Sequence, residues 1–172
     1  MKSSNLLSLA NVAKEAAKNA GKKLLEEFQR PQEVLLSKGR DIKLAVDEVA
    51  EKIIIDYLKE GSKLPILSEE AGITDDLGSE FWVVDPLDGT SNFFRSIPIC
   101  SSSISLIKDG SPCIGVIYDF LNDNLYWAAN GMGAHCNEMP IQVSNVSSKS
   151  EGTLMTGIPA KDNYSNSEFE KM

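Results

Sequence analysis

The sequence predicts an α+β fold, two long helices followed by a mostly antiparallel sheet. Three observations predict it. The first sixty residues carry apolar side chains at helical spacing. From Leu64 onward the period changes to short apolar or alternating runs. Asp109-Gly110 and Asn130-Gly131 are two-residue turn signals of the kind that join antiparallel strands. Helices first and strands afterwards place the helix pair on one face of one sheet.

Each element follows in order. Leu6, Leu9, Ala13, Ala16, Ala20, Leu24 and Phe28 recur every three or four positions and predict a first helix, which Pro31 closes. An apolar run at Val34–Leu36 and a turn at Lys38-Gly39-Arg40 come next. A second helix is predicted on a stripe of Ala45 or Val46, Val49, Ile53 and Tyr57, ending at Gly61. Strands are expected at Leu64–Ser68, Phe81–Asp85, Cys100–Lys108, Cys113–Tyr118, Leu125–Ala128 and Ile141–Val143, with Asp109-Gly110 turning a hairpin. Ser165, Glu168 and Phe169 read as the start of another helix just before Met172. Either this is a frayed tail, or the chain is cut short where a further element begins.

Size and composition bound the function. With 172 residues, 42% hydrophobic and 24% charged, the chain matches one soluble domain of roughly 100–200 residues, not a disordered or fibrous protein. Its net charge of −8 repels phosphate backbones and anionic lipid, which excludes nucleic acid and membrane surfaces as main partners. Any phosphate bound here must be received by backbone N–H groups or by bound cations. Cys100, Cys113 and Cys136 are odd in number and have no C-x-x-C spacing, so they read as reduced thiols in the core. The N-terminus lacks the continuous apolar stretch of a signal peptide, and the expected location is cytoplasmic.

The most informative segment is Phe81-Trp-Val-Val-Asp-Pro-Leu-Asp-Gly-Thr-Ser-Asn-Phe-Phe94. A strand delivers Asp85, Pro86 fixes the backbone, and Asp88-Gly89 turns, so two carboxylates three residues apart converge. Such a pair raises one of its own pKa values unless a cation neutralises it, and hard oxygen donors suit Mg²⁺. Glu69 and Glu70 end the strand candidate Leu64–Ser68, and a neighbouring strand, parallel or antiparallel, can bring that end beside Asp85. Small residues at Gly89-Thr90-Ser91 let backbone N–H groups approach an anion. Metal ligands and anion donors in one loop invite phosphoryl transfer to water. Taken singly, D-P-x-D-G is an ordinary turn string, and Glu69-Glu70 or Asp47 ordinary solvated charge.

In order and spacing, Asp41-Ile-Lys-Leu-Ala-Val-Asp47 with Glu51, Ser68-Glu69-Glu70, Trp82-Val-Val-Asp-Pro-Leu-Asp-Gly-Thr-Ser-Asn-Phe93 and Gly131-Met-Gly-Ala-His-Cys-Asn137 resemble the inositol monophosphatase family. The resemblance runs from about Leu6 to Thr156 and corresponds to the N-terminal part of that family's layered αβαβα fold. It implies a single α+β domain over 1–172 with the C-terminal half absent. It implies Mg²⁺ as cofactor, a small phosphorylated substrate, and a homodimer as one oligomeric form. Glu69, Asp85 and the Leu87 carbonyl match ligands of a first Mg²⁺, and Asp85 and Asp88 match ligands shared with a second. Gly89 and Thr90 match the phosphate contacts, within a substrate-binding set that also holds Glu69, Leu87 and Asp88. Asp47, paired with the Thr90 hydroxyl, matches the group that activates the attacking water, so the implied catalytic residues are Asp47, Thr90 and Glu69.

Inositol monophosphate is the implied substrate, a 3'(2'),5'-bisphosphate nucleotide or a sugar phosphate the alternative within the family, and a non-catalytic metal- or phosphate-binding fragment the alternative outside it. Asn92 after Thr90-Ser91 favours the inositol branch. Two departures stand out: Leu44 where the family commonly has Thr, and no downstream Trp-Asp motif to supply another carboxylate to the second metal. Asp41 and Lys38 read as structural, as does His135, the single histidine. Ser101, Ser102 and Ser103 have no G-x-S-x-G setting for a nucleophile. Gly131-Met-Gly133 reads as a turn between strands, and Trp82 and Trp127 as core.

Overall fold

The computed structural model of the chain describes residues 3–38 and 41–153. The chain divides into two compact units, Met1–Gln142 and Val143–Met172. In the first, helix α1 spans Ser3–Glu27, β1 Val34–Lys38, β2 Asp41–Leu44 and α2 Ala45–Gly61. Then follow β3 Ile66–Ser68, β4 Gly72–Ile73, β5 Glu80–Asp88, α3 Thr90–Phe94, β6 Ser101–Lys108, β7 Ser111–Asp119, β8 Asn124–Ala129, β9 Gly133–Cys136 and β10 Met139–Ile141. Strands β1 and β2 form a separate antiparallel pair. The other eight form one sheet in the order β10-β9-β8-β7-β6-β5-β3-β4, antiparallel at every junction except β3 with β5. This is the α+β class expected, with both long helices against one face of the sheet. In the second unit, the described residues 143–153 contain a turn in which the Glu151 N–H donates to the Ser148 carbonyl at 3.1 Å.

Helix α1 buries Leu9, Ala13, Ala16, Ala20 and Leu24, the stripe its spacing predicts. Small side chains let it lie close. A Cβ on Gly21 would stand 2.5 Å from the Tyr118 ring and 2.9 Å from Phe120, so only glycine lets the helix meet the end of β7 there.

Helix α2 corrects the expectation. It starts and ends where predicted, but the buried stripe is Val46, Asp47, Ala50, Glu51, Ile54 and Leu58, while Val49 and Tyr57 are exposed. The helix is turned by about one residue, roughly 100°. Val49, Ile53 and Tyr57 are larger than Ala50 and offered the more apolar stripe. The turned face instead puts Ala50 against its neighbours and carries Asp47 and Glu51 inward, a placement that hydrophobicity alone argues against.

Several strands escape the sequence. β2, β4 and β9 have two to four residues each, too short to show a period. The last predicted strand is shifted: pairing ends at Ile141, and Val143 is exposed in the second unit. The hairpin at Asp109-Gly110 has positive φ at both residues (49° and 76°), as a two-residue turn between twisted strands requires. Trp82 is fully buried and its indole N–H donates to Ser62 Oγ at 2.9 Å. Trp127, expected in the core, is only partly buried: its ring stacks on His135 at 4.4 Å, and Lys14 Nζ lies 4.4 Å from the ring centre. Cys100 and Cys113 are buried, Cys136 half-buried, and all three are free thiols. The Lys38 and Asp41 side chains and the helix start at Ser165–Phe169 lie outside the described residues.

Candidate active site

Three elements bring acidic residues together. β3 runs parallel to β5 with Ser68 beside Val84, and the Glu69 N–H donates to the Val84 carbonyl at 3.1 Å. Of the two strand senses the sequence allows, the parallel one holds, and it brings Glu69 to the side of Asp85. β5 does not end at Asp85. Its pairing with β6 slips between Asp85, opposite Ser103, and Asp88, opposite Ser101. Pro86 lies in this irregularity, where a residue without an N–H costs the ladder least. Its carbonyl is held by the buried Ser102 hydroxyl, which donates at 2.7 Å. That is the role of the serine row: Ser102 fixes the bend that aims Asp85 and Asp88.

After the bend, Gly89 has φ +86° and caps the short helix α3. A Cβ there would meet the Ile99 carbonyl oxygen at 2.8 Å, so glycine is required on both counts. The Asn92 side-chain amide donates to the same carbonyl at 2.8 Å and ties α3 to the segment before β6. The Asn92 and Phe93 N–H groups donate to the Gly89 carbonyl at 2.8 and 2.9 Å, while the Thr90 and Ser91 amides stand at the helix start with no preceding turn of helix to receive them. Helix α3 lies against β2, which leads into α2 and Asp47.

Asp47 sits in the first turn of α2, and its Oδ2 accepts the Leu44 N–H at 2.7 Å. Leu44 has no side-chain oxygen to return the favour, so half a capping box remains. The implied pairing of Asp47 with Thr90 is not formed. The Thr90 hydroxyl donates instead to the Leu87 carbonyl at 3.0 Å, within its own turn. A local acceptor three residues back satisfies that proton, while the helix start holds the Asp47 carboxylate. The Leu87 carbonyl therefore already accepts one hydrogen bond and has one lone pair left.

Burial sets the electrostatics. Asp47 is 1% exposed, and its pKa is pushed up to about 7, mainly by burial. The Leu44 N–H opposes the shift; Glu70 and Glu69 add to it, and Lys43 works against them. Asp85 is also pushed up to about 7, first by burial, then by the neighbouring carboxylates of Glu69 and Asp88. Among the described residues five buried polar side-chain atoms lack a partner, and two are Asp47 Oδ1 and Asp85 Oδ1. A bare buried carboxylate oxygen is costly unless something cationic or a proton meets it. Among the described residues, no three His, Cys, Asp or Glu side chains stand in a ready-made coordination arrangement.

Sequence reasoning missed Lys43, the only basic residue between Arg40 and Lys52. Its Nζ lies 2.7 Å from Glu70 and 3.1 Å from Glu48. It also gave no role to Glu51, whose Oε1 accepts the Ala71 N–H at 2.7 Å.

Comparison with known proteins places this geometry. The model of the inositol monophosphatase family matches residues 5–172. The chain is 37% identical over 155 residues to the Nus factor SuhB of Xylella fastidiosa, covering 88% of this chain and 56% of that protein. It is 36% identical over 160 residues to an inositol-1-monophosphatase of Synechocystis, covering 90% and 55%. Among solved structures, the extragenic suppressor protein suhB from Bartonella henselae superposes with a TM-score of 0.74 at 37% identity, over 80% of this chain and 54% of that one. The chain thus spans about half the length of the relatives it matches. A family model across nearly every residue, relatives above one-third identity and a shared fold agree on one conclusion: the chain belongs to the inositol monophosphatase family.

Proposed function

We propose that this chain carries the acidic part of a Mg²⁺-dependent phosphatase site, acting on a small phosphate monoester, with inositol monophosphate the first choice. The observation that carries the reading is the pair of unpartnered buried oxygens, Asp47 Oδ1 and Asp85 Oδ1, in elements that flank the Gly89-Thr90 turn. An all-oxygen donor set with two bare carboxylate oxygens fits a hard divalent cation. Glu69, Asp85, Asp88 and the Leu87 carbonyl are the residues that would hold it. When bound, Mg²⁺ supplies charge neutralisation for phosphate oxygens and acidifies a coordinated water.

The chain's own residues do the rest. Gly89, the cap of α3, and Thr90, its first residue, would turn backbone amides toward an ester's anionic oxygens, and the left-handed Gly89 backbone that sets this turn leaves no room for a Cβ against the Ile99 carbonyl. Asp47, whose carboxyl burial pushes up from its ordinary value, has a free Oδ1 that can take a proton from water. The Thr90 hydroxyl gives its proton to the Leu87 carbonyl and so keeps its own oxygen able to accept a hydrogen bond from a water. The protein's net charge of −8 disfavours an anion, and a bound cation beside the turn amides would offset it. A cytoplasmic location belongs to the same proposal, supported by free thiols at all three cysteines. No described helix is long and apolar enough to cross a membrane.

Phosphate release from inositol 1-phosphate tests the reading. Release that requires Mg²⁺, stops in EDTA and falls at least about a hundredfold in Asp88→Asn supports it. Release untouched by EDTA contradicts it. Mg²⁺ binding without release from any monoester would favour a metal- and phosphate-binding fragment.

A further inference from the structure

Lys43 projects from β2 among acids, three-quarters buried, with Glu70 on one side at 2.7 Å and Glu48 on the other at 3.1 Å. Each partner adjoins a proposed site residue in sequence: Glu48 follows Asp47, and Glu70 follows Glu69. The segment after β3 is pinned at three successive residues, Glu69 by the Val84 carbonyl, Glu70 by Lys43 and Ala71 by Glu51 Oε1. The two adjacent glutamates are therefore divided. Glu70 is committed to a lysine, while Glu69 is carried beside Asp85 by the parallel pairing of β3 with β5.

We propose that Lys43 is a positioning residue which holds Glu70 aside and so aims Glu69, alone of the pair, at the cation site beside Asp85. This deepens the phosphatase reading and rests on it. The physical reason is repulsion. Glu69, Glu70, Asp47, Asp85 and Asp88 crowd one region, and without a counter-charge both glutamates would swing toward solvent and away from one another. An ordered ligand binds a cation more tightly than one that must first be ordered. The opposing effect is direct: a fixed positive charge near a cation site repels the cation. The two effects predict opposite signs for the loss of Lys43, so a measurement separates them.

The experiment is Mn²⁺ titration of the 172-residue chain, followed by the electron paramagnetic resonance of the free ion. Positioning predicts that Lys43→Met weakens Mn²⁺ binding about fivefold, and that Lys43→Arg stays within about twofold of the parent. It also predicts that Lys43→Met combined with Glu70→Gln is no weaker than Lys43→Met alone, because the lysine acts through that glutamate. Binding unchanged or tighter in Lys43→Met overturns the proposal, as does full additivity in the double variant. Should Lys43→Met fail to fold by circular dichroism, Lys43→Gln keeps the stem and is read by the same outcomes. A parent chain that binds no Mn²⁺ overturns the phosphatase reading itself, a result distinguishable from every variant effect.

Discussion

Asp47 is where stability and chemistry pull apart. Its Oδ2 closes the start of α2, but Oδ1 is buried with nothing to meet it. Replacing it by Asn keeps an oxygen for the Leu44 N–H and removes a buried charge, so Asp47→Asn should melt no lower than the parent at pH 8 while phosphate release drops about 10²- to 10⁴-fold. A variant that loses stability and keeps activity would assign Asp47 to structure. Asp47 and Asp85 also set a pH dependence. Both carboxyls titrate near 7 in the fold, against an ordinary value of 3.8. Between those limits the folded chain binds more protons than the unfolded one, so stability is greatest at the acid end and falls as pH rises from about 4 to 7. Melting in EDTA at pH 5 and pH 8 should show the lower midpoint at pH 8, with Mg²⁺ restoring it; a metal-free chain more stable at pH 8 would refute this. At this scale the sequence shows which acids matter, because Asp85-Pro86-Leu87-Asp88-Gly89-Thr90 constrains its own backbone. It cannot show that Thr90 turns to Leu87, or that Lys43 takes Glu70, since both depend on neighbours fixed only by the fold.

Helix α1 meets the sheet by close approach, through small residues, over a core whose bulk comes from Trp82, Phe93, Phe120 and buried leucines and isoleucines. The alanines and Gly21 of α1 let the helix settle onto the sheet, and Gly21→Ala should cost about 1–3 kcal/mol in urea unfolding, because the new methyl meets Tyr118 and Phe120. Gly89→Ala should cost about 1–2 kcal/mol from the left-handed backbone alone, and more from the Ile99 carbonyl. Unlike Gly21→Ala, it should also abolish phosphate release. Helix α1 and the β6–β7 hairpin are readable from the sequence, since long periodic stripes and an Asp-Gly turn are local signals. The face of α2 is not. Its inward stripe contains two carboxylates, and a reading that maximises apolar burial turns the helix the wrong way. The residues that defeat that reading, Asp47 and Glu51, are those that face the site and the segment beyond β3.

For the whole molecule, a surplus of acid governs ligand choice. With a net charge of −8, the chain should bind inositol 1-phosphate only when a divalent cation is present. The parallel junction of β3 with β5, in a sheet otherwise antiparallel, puts Glu69 and the β5 acids at one end. Asp47 reaches that neighbourhood through β2, which packs on α3. The sequence allowed either strand sense there. If these separated acids form one cation site, calorimetric titration with Mg²⁺ should give saturable binding by the parent chain, weakened at least about tenfold in Asp85→Asn. A parent chain that takes up no Mg²⁺, or an Asp85→Asn chain that binds it equally well, would contradict it.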